Sequence, residues 1–190
     1  MNSHHAARVA LLVALLFTLA PVASAQCTLD RAPTVRGLSL GMPLESYLAL
    51  FPRTARRGLE IFDPAIGEEF VLVDSMERAD LKGVTINTAS FVDGRLSFLS
   101  FAYPDYAPAS ATDFTRQASK RLRLPARGWK PEGRALRSLT CKGFAVTVST
   151  GDYGRRQEDP FLVLEDLKAK AKVAERRRKL KADDRRVFRP

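Results

Sequence analysis

The sequence predicts an α+β fold: an antiparallel sheet of about five or six strands with two helices packed on one face. Three observations predict it. Two hairpin signals, Asp93-Gly94 and Lys142-Gly143, each join a pair of apolar runs. Two stretches of helical periodicity, from Leu44 and from Ser110, each precede a hairpin. The order helix, strand, hairpin, helix, hairpin, strand therefore reads as two similar helix-plus-meander halves, although no repeat is visible residue by residue. Such a sheet hides its apolar face beneath the helices.

The elements follow in order. Gly37-Leu38-Ser39-Leu40-Gly41 is a turn-rich entry, and Pro43 suits the start of a helix. Leu44, Tyr47, Leu48 and Phe51 recur at helical spacing until Pro52 stops them. Arg53, Arg56 and Arg57 come next. They read as cations complementing the helix C-terminus rather than as an anion site. Phe70 to Val73 is a short apolar strand. Val84 to Val92 and Arg95 to Tyr103 form the first hairpin, and Tyr103-Pro104-Asp105-Tyr106-Ala107-Pro108 interrupts the sheet. Ser110 or Thr112 caps a second helix with Phe114, Ala118 and Leu122 as its stripe, closed by Pro125. Leu136 to Cys141 and Phe144 to Thr150 form the second hairpin. In its second arm Phe144, Val146 and Val148 alternate with Ala145, Thr147 and Ser149. Phe161 to Leu164 is the last strand. Trp129, the only tryptophan, is expected in the core; its other reading is an exposed binding anchor.

Residues 1–25 read as a Sec-type export signal. Arg8 supplies positive charge, Val9 to Ala20 is an apolar run, Pro21 breaks it, and Ala23-Ser24-Ala25 offers a small-x-small cleavage pattern. The run is shorter than the ~20 residues that span a bilayer, so a retained anchor is the weaker reading. A lipid-modified cysteine must follow a small residue, whereas Gln26 precedes Cys27. Cleavage after Ala25 is expected, leaving a soluble periplasmic or secreted product.

That cut removes His4 and His5, the only histidines. A mature chain without histidine cannot assemble Ser-His-Asp or Cys-His catalysis, nor the common histidine-bearing zinc and copper sites. No metal or other cofactor is expected. Cys27 and Cys141 are the only cysteines, and in an oxidising compartment they are expected to pair within the chain. A thiol so engaged is no nucleophile. The open alternative is that Cys27 is frayed or pairs with another molecule.

The formal charge of +10 is unevenly placed. Residues 26–167, one α+β domain, carry 19 basic and 18 acidic side chains. Residues 168–190, a basic C-terminal tail, carry 11 basic and 3 acidic ones. The tail from Glu165 to Asp184 lacks glycine and proline and is rich in helix formers, so it is expected to be helical or frayed. Its apolar stripe, Leu164, Leu167, Ala171, Ala174 and Leu180, is too thin for deep lipid insertion.

At Gly37-Leu38-Ser39-Leu40-Gly41-Met42-Pro43-Leu44-Glu45 the chain resembles small bacterial envelope proteins of the beta-lactamase-inhibitor-like and SmpA/OmlA types. These enter their first helix through Gly-Met-x-x-x-Glu and continue into an antiparallel meander. The likeness covers those nine residues and, loosely, Phe91-Val92-Asp93-Gly94-Arg95-Leu96. The resemblance implies non-catalytic protein binding in the envelope and carries over no binding residue. The SmpA/OmlA members are lipoproteins, and this chain lacks that attachment pattern.

Three candidate sites remain. Glu68-Glu69 with Asp74 suggests paired carboxylates for glycoside chemistry, but neighbours on a strand point to opposite faces. Asp152-Tyr153-Gly154-Arg155-Arg156 is a polar loop with Tyr153, Arg155 and Arg156 as binding candidates, and Tyr106 is their partner in the other loop. In the tail, Arg176, Arg177, Arg178, Lys179 and Lys181 could attach the protein to an anionic lipid or wall polymer. Nucleic acid fits that charge equally, but export argues against it. The expected function is therefore a non-catalytic binding or adaptor role with an envelope protein. The alternatives are a carboxylate-dependent hydrolase of envelope polymers or a secreted inhibitor of another enzyme.

Overall fold

A computed structural model describes residues 27–57, 61–72, 78–152, 154 and 158–187. The predicted export signal and its cleavage site lie outside the described residues. The fold is α+β. Helix α1 (Leu44–Ala49) and helix α2 (Pro52–Arg57) precede strands β1 (Ile61–Asp63), β2 (Glu68–Val71), β3 (Thr85–Val92) and β4 (Arg95–Ala102). Helix α3 (Ala111–Leu122) precedes β5 (Lys130–Pro131), β6 (Leu136–Thr140), β7 (Phe144–Ser149) and β8 (Phe161–Asp166). Helix α4 (Leu167–Val187) ends the chain.

The eight strands form one sheet in the order β1-β2-β3-β4-β8-β7-β6-β5. Each half is a four-strand meander behind its own helical segment, and the halves meet where β4 pairs antiparallel with β8. The sheet is larger than the five or six strands expected. The two unexpected strands, β1 and β5, are three and two residues long and carry no alternating apolar pattern. Pro52 ends one helix and opens the next, because its missing N–H and fixed φ suit a first turn.

The hairpins form at the predicted turns. Asp93 and Gly94 both adopt left-handed φ values, 51° and 69°, as a tight two-residue turn requires. Ser110 caps α3, its hydroxyl accepting from the Asp113 amide at 3.0 Å. Arg123, with φ 55°, terminates that helix before Pro125 is reached.

The core lies on one face of the sheet. Tyr47 from α1 and Phe51 after it pack with Phe91, Leu96, Leu99 and Phe101, and Phe114 and Ala118 of α3 join the same cluster. Phe144, Val146 and Val148 face inward as the alternation predicted. Trp129 packs half-buried against this core, and its Nε1–H donates to Ser119 Oγ at 3.0 Å and Pro125 O at 3.1 Å. The entry segment is sewn to the first hairpin: Gly41 N donates to Leu96 O, Leu96 N to Met42 O, and Leu44 N to Gly94 O. The two stretches that resemble the envelope proteins thus hydrogen-bond to each other. Cys27 and Cys141 form a disulfide, with Cα atoms 4.6 Å apart, which ties the N-terminal segment to the end of β6.

Candidate functional site

The outward face of the sheet carries the other residue of each pair. Strand pairing sets Phe70 beside Ser90, Ser90 beside Phe98 and Phe98 beside Glu165. Val163 stands beside Ser100 and Thr147. This face is therefore small and hydroxyl-rich, with a few large apolar side chains set into it.

Helix α4 folds back over part of this face. It begins without a loop: Asp166, the last residue of β8, accepts at Oδ1 from the Lys168 amide at 2.8 Å and the Ala169 amide at 3.0 Å. That carboxylate caps the helix and favours its positive end. One turn on, Val173 is buried against Ile66 and Val92, with Ala169 beside it. Arg176 reaches Asp93 and also donates from Nη1 to Ile66 O at 2.7 Å. Lys172 hydrogen-bonds Asp93 as well. Arg177 Nη2 donates to Glu68 Oε2 at 2.7 Å, and Lys170 Nζ to Glu165 Oε2 at 2.8 Å. Between helix and sheet lies a cleft of about 400 Å³, lined by Phe70, Phe98, Val92, Lys170 and Val173 with Thr88 among them.

This arrangement divides the predicted tail residues. Arg176 and Arg177 are engaged by the body's own carboxylates. Arg178 donates from Nε to Ala174 O, Lys179 pairs with Glu175 one turn back, and Lys181 is exposed with no ion pair among the described residues. The buried stripe differs from the expected one. It runs through Ala169 and Val173, whereas Leu180 and Ala171 are exposed and Ala174 lines the open cleft without being buried. The ion pairs to Asp93 and Glu68 set which side of the helix faces the sheet.

Asp93 is the electrostatic centre of the contact. The Arg176 hydrogen bond, then the Lys172 one, holds its carboxyl below the ordinary range. Glu175 is held low by Lys179, and Asp80 by Arg78.

Glu68 and Glu69 face opposite sides, as strand geometry requires. Glu68 meets α4, while Glu69 pairs across to Phe91 on the core side and buries Oε2 with no partner among the described residues. Asp74 lies outside the described residues. No cluster of three potential metal ligands occurs among the described residues.

Tyr153, Arg155 and Arg156 lie outside the described residues. The base of their loop is pinched where the Glu158 amide donates to Gly151 O at 2.9 Å. A Cβ on Gly151 would lie 1.9 Å from Glu158 O, so only glycine fits there. Tyr106 is described. Its ring meets Phe114 edge-on with centroids 5.3 Å apart, and Tyr103 completes the trio at 6.4 Å from Tyr106.

The sequence reading missed Asp93 and Val173 as docking residues. Asp93 carries a strong turn signal that accounts for it locally, and Val173 is a single apolar residue in a basic helix. No helix among the described residues is long and apolar enough to cross a membrane. Comparison with protein-family models, curated proteins and solved structures gives no match.

Proposed function

We propose that the chain is an exported, non-catalytic binding module of the periplasm or the extracellular space. Its contact surface is the outward sheet face together with the edge of α4. The observation that carries this reading is the cleft of about 400 Å³ between α4 and that face, where Phe70 and Phe98 are set among serine and threonine. Aromatic anchors amid small polar groups suit a protein partner. The sheet separates the two adjacent glutamates, which argues against the carboxylate hydrolase. The N-terminal pattern and the disulfide support export, and the resemblance to envelope binding proteins points the same way. Arg178, Lys179 and Lys181, on the outer side of α4, form the basic edge that would meet an anionic lipid or wall polymer. Tyr153, Arg155 and Arg156 are proposed as further contact residues.

The test is site-directed photo-crosslinking in intact cells, with the crosslinker at Phe98, at Thr147, or at Arg127 as a remote exposed control. A discrete protein adduct from Phe98 or Thr147, absent from Arg127, is expected in the envelope fraction. Adducts of equal strength from all three positions, or none from any, would overturn the reading. N-terminal sequencing of the fractionated protein checks export, with Gln26 the expected first residue.

A further inference from the structure

We propose that a second cavity, beside Tyr106, is a receptor for a small monoanionic organic acid with a flat apolar body, benzoate being the simplest such acid. The cavity holds about 230 Å³ and lies between α3, the Tyr103–Pro108 loop and the segment through Lys82. That is below the roughly 300–1,000 Å³ of a drug-sized pocket, so a single ring with a short substituent suits it.

One side of the cavity is apolar and fixed. Tyr103, Tyr106 and Phe114 meet mutually edge-on, with centroids 5.3 to 6.4 Å apart, so each ring holds the others in place. Leu162 and Ala118 are buried behind them.

The other side is cationic. Arg36, Lys82 and Arg121 all line the cavity, and none forms an ion pair among the described residues. They differ in this from Arg176 and Arg177, which the body neutralises. Asp105 is the only carboxylate on the lining. Asp113 lies near enough to act on Tyr106 and Asp80 near enough to act with Arg36, but each is paired outside the cavity, Asp113 with Arg116 and Asp80 with Arg78, so the lining keeps an excess of positive charge. Arg36 and Arg121 both oppose, in part, the upward shift that burial gives the Tyr103 phenol.

A hydrogen-bond donor is also left over. The Tyr106 hydroxyl is buried and makes no well-formed hydrogen bond among the described residues; Gln117 is close enough to influence it, but the Gln117 Nε2 donates to Asp113 Oδ2 at 3.1 Å. A phenol is a protonated donor at neutral pH, and burial, joined at Tyr106 by the Asp113 carboxylate, raises both Tyr103 and Tyr106 further. An orphaned buried hydroxyl costs stability unless a ligand or water satisfies it. A carboxylate placed among Arg36, Arg121 and Tyr106 would take that proton donor and the unpaired charge together, while its ring stacked on the aromatic side.

The test is NMR titration of the purified, oxidised protein with benzoate, and in parallel with benzamide, acetate and inorganic phosphate. Benzoate is expected to give saturable shifts confined to amides around Tyr103, Tyr106 and Gln117. Benzamide, with the ring but no charge, should bind about tenfold more weakly or not at all, the scale of one charge-assisted hydrogen bond. Arg121→Gln should weaken benzoate by a similar factor, and Tyr106→Phe by less. Because Arg121 is exposed, its replacement leaves the fold intact. No saturation by benzoate, equal binding of benzamide, or equal binding of acetate or phosphate would each overturn the proposal. So would an Arg121→Gln protein that binds benzoate unchanged.

Discussion

Asp93 and Arg176, 83 positions apart in the chain, are joined by a forked contact: Arg176 Nη1 donates to Oδ1 at 2.8 Å and Nη2 to Oδ2 at 3.2 Å. The carboxylate sits on the tip of the first hairpin, and the guanidinium sits on the helix that follows the last strand. The basic C-terminal segment is thereby part of the folded body. Its charge is partly spent on internal docking, and only its outer side remains for other partners.

Replacing Asp93 with asparagine tests that contact cleanly, because asparagine also tolerates the left-handed turn conformation. Each pair is exposed, so the loss in α4 docking is expected to be about 1 kcal/mol or less. It would be read as faster amide exchange in α4, with β3 and β4 unchanged. The same exchange in the parent protein should quicken with added salt, and the variant should respond less.

The pH dependence has a definite sign. A carboxyl whose folded value lies below its ordinary 3.8 stabilises the fold fully above that value. The contribution disappears as pH falls below 3.8 through the lowered folded value. Protection of α4 amides should therefore hold from neutrality down to the ordinary carboxylate range and decline under stronger acid. Asp93→Asn should flatten that decline; an unchanged acid profile would mean that Asp93 does not govern α4.

Val173 supplies the apolar part of the same contact. Val173→Ala removes buried methyl groups and should cost about 1–2 kcal/mol of α4 docking. Trypsin cleavage between Arg176 and Lys181 should accelerate in this variant while the sheet survives. Equal cleavage rates in parent and variant would show that α4 does not depend on Val173.

The parts of the fold legible in the sequence were those governed by local chemistry. Asp93-Gly94 turns because both residues accept positive φ, Ser110 caps because its hydroxyl meets an orphan amide, and Phe144 to Val148 alternates because one face is buried. The two-residue strand at Lys130 and the three-residue strand at Ile61 were not legible, because neighbouring strands rather than their own residues make them pair. The docking of α4 was hidden for a related reason. Its partners, Asp93, Glu68 and Ile66, are 79 to 110 positions away, and each has a sufficient local explanation. The cation cluster of Arg36, Lys82 and Arg121 comes from three separate segments, and no spacing rule connects them.

The disulfide gives a larger effect. Closing a loop of 114 residues restricts the unfolded chain by the equivalent of about 4–5 kcal/mol in the chain-entropy model. Reduction should lower Tm by about 8–20 °C, taking about 2–4 °C per kcal/mol for a chain of this size. A Cys27→Ser/Cys141→Ser double variant should melt at the reduced value and ignore added reductant.

Tyr47 offers the most unusual prediction. Its side chain is 0% exposed, packs on Phe51 at 4.9 Å and Phe91 at 5.1 Å, and buries a hydroxyl that has no partner among the described residues. Burial drives its phenol far above the ordinary value, with Arg78 opposing only in part. Arg78, whose guanidinium lies 5.5 Å from the Phe51 ring centroid, also leaves Nη1 unpartnered. Removing a buried hydroxyl that makes no bond relieves a desolvation penalty, whereas removing the ring opens a cavity. Tyr47→Phe should therefore hold Tm or raise it, by up to about 1–2 kcal/mol of stability. Tyr47→Ala should cost about 3–5 kcal/mol, as for a buried aromatic ring. A clear loss of stability in Tyr47→Phe would instead mean that the Tyr47 hydroxyl is satisfied by a partner, and would overturn this account.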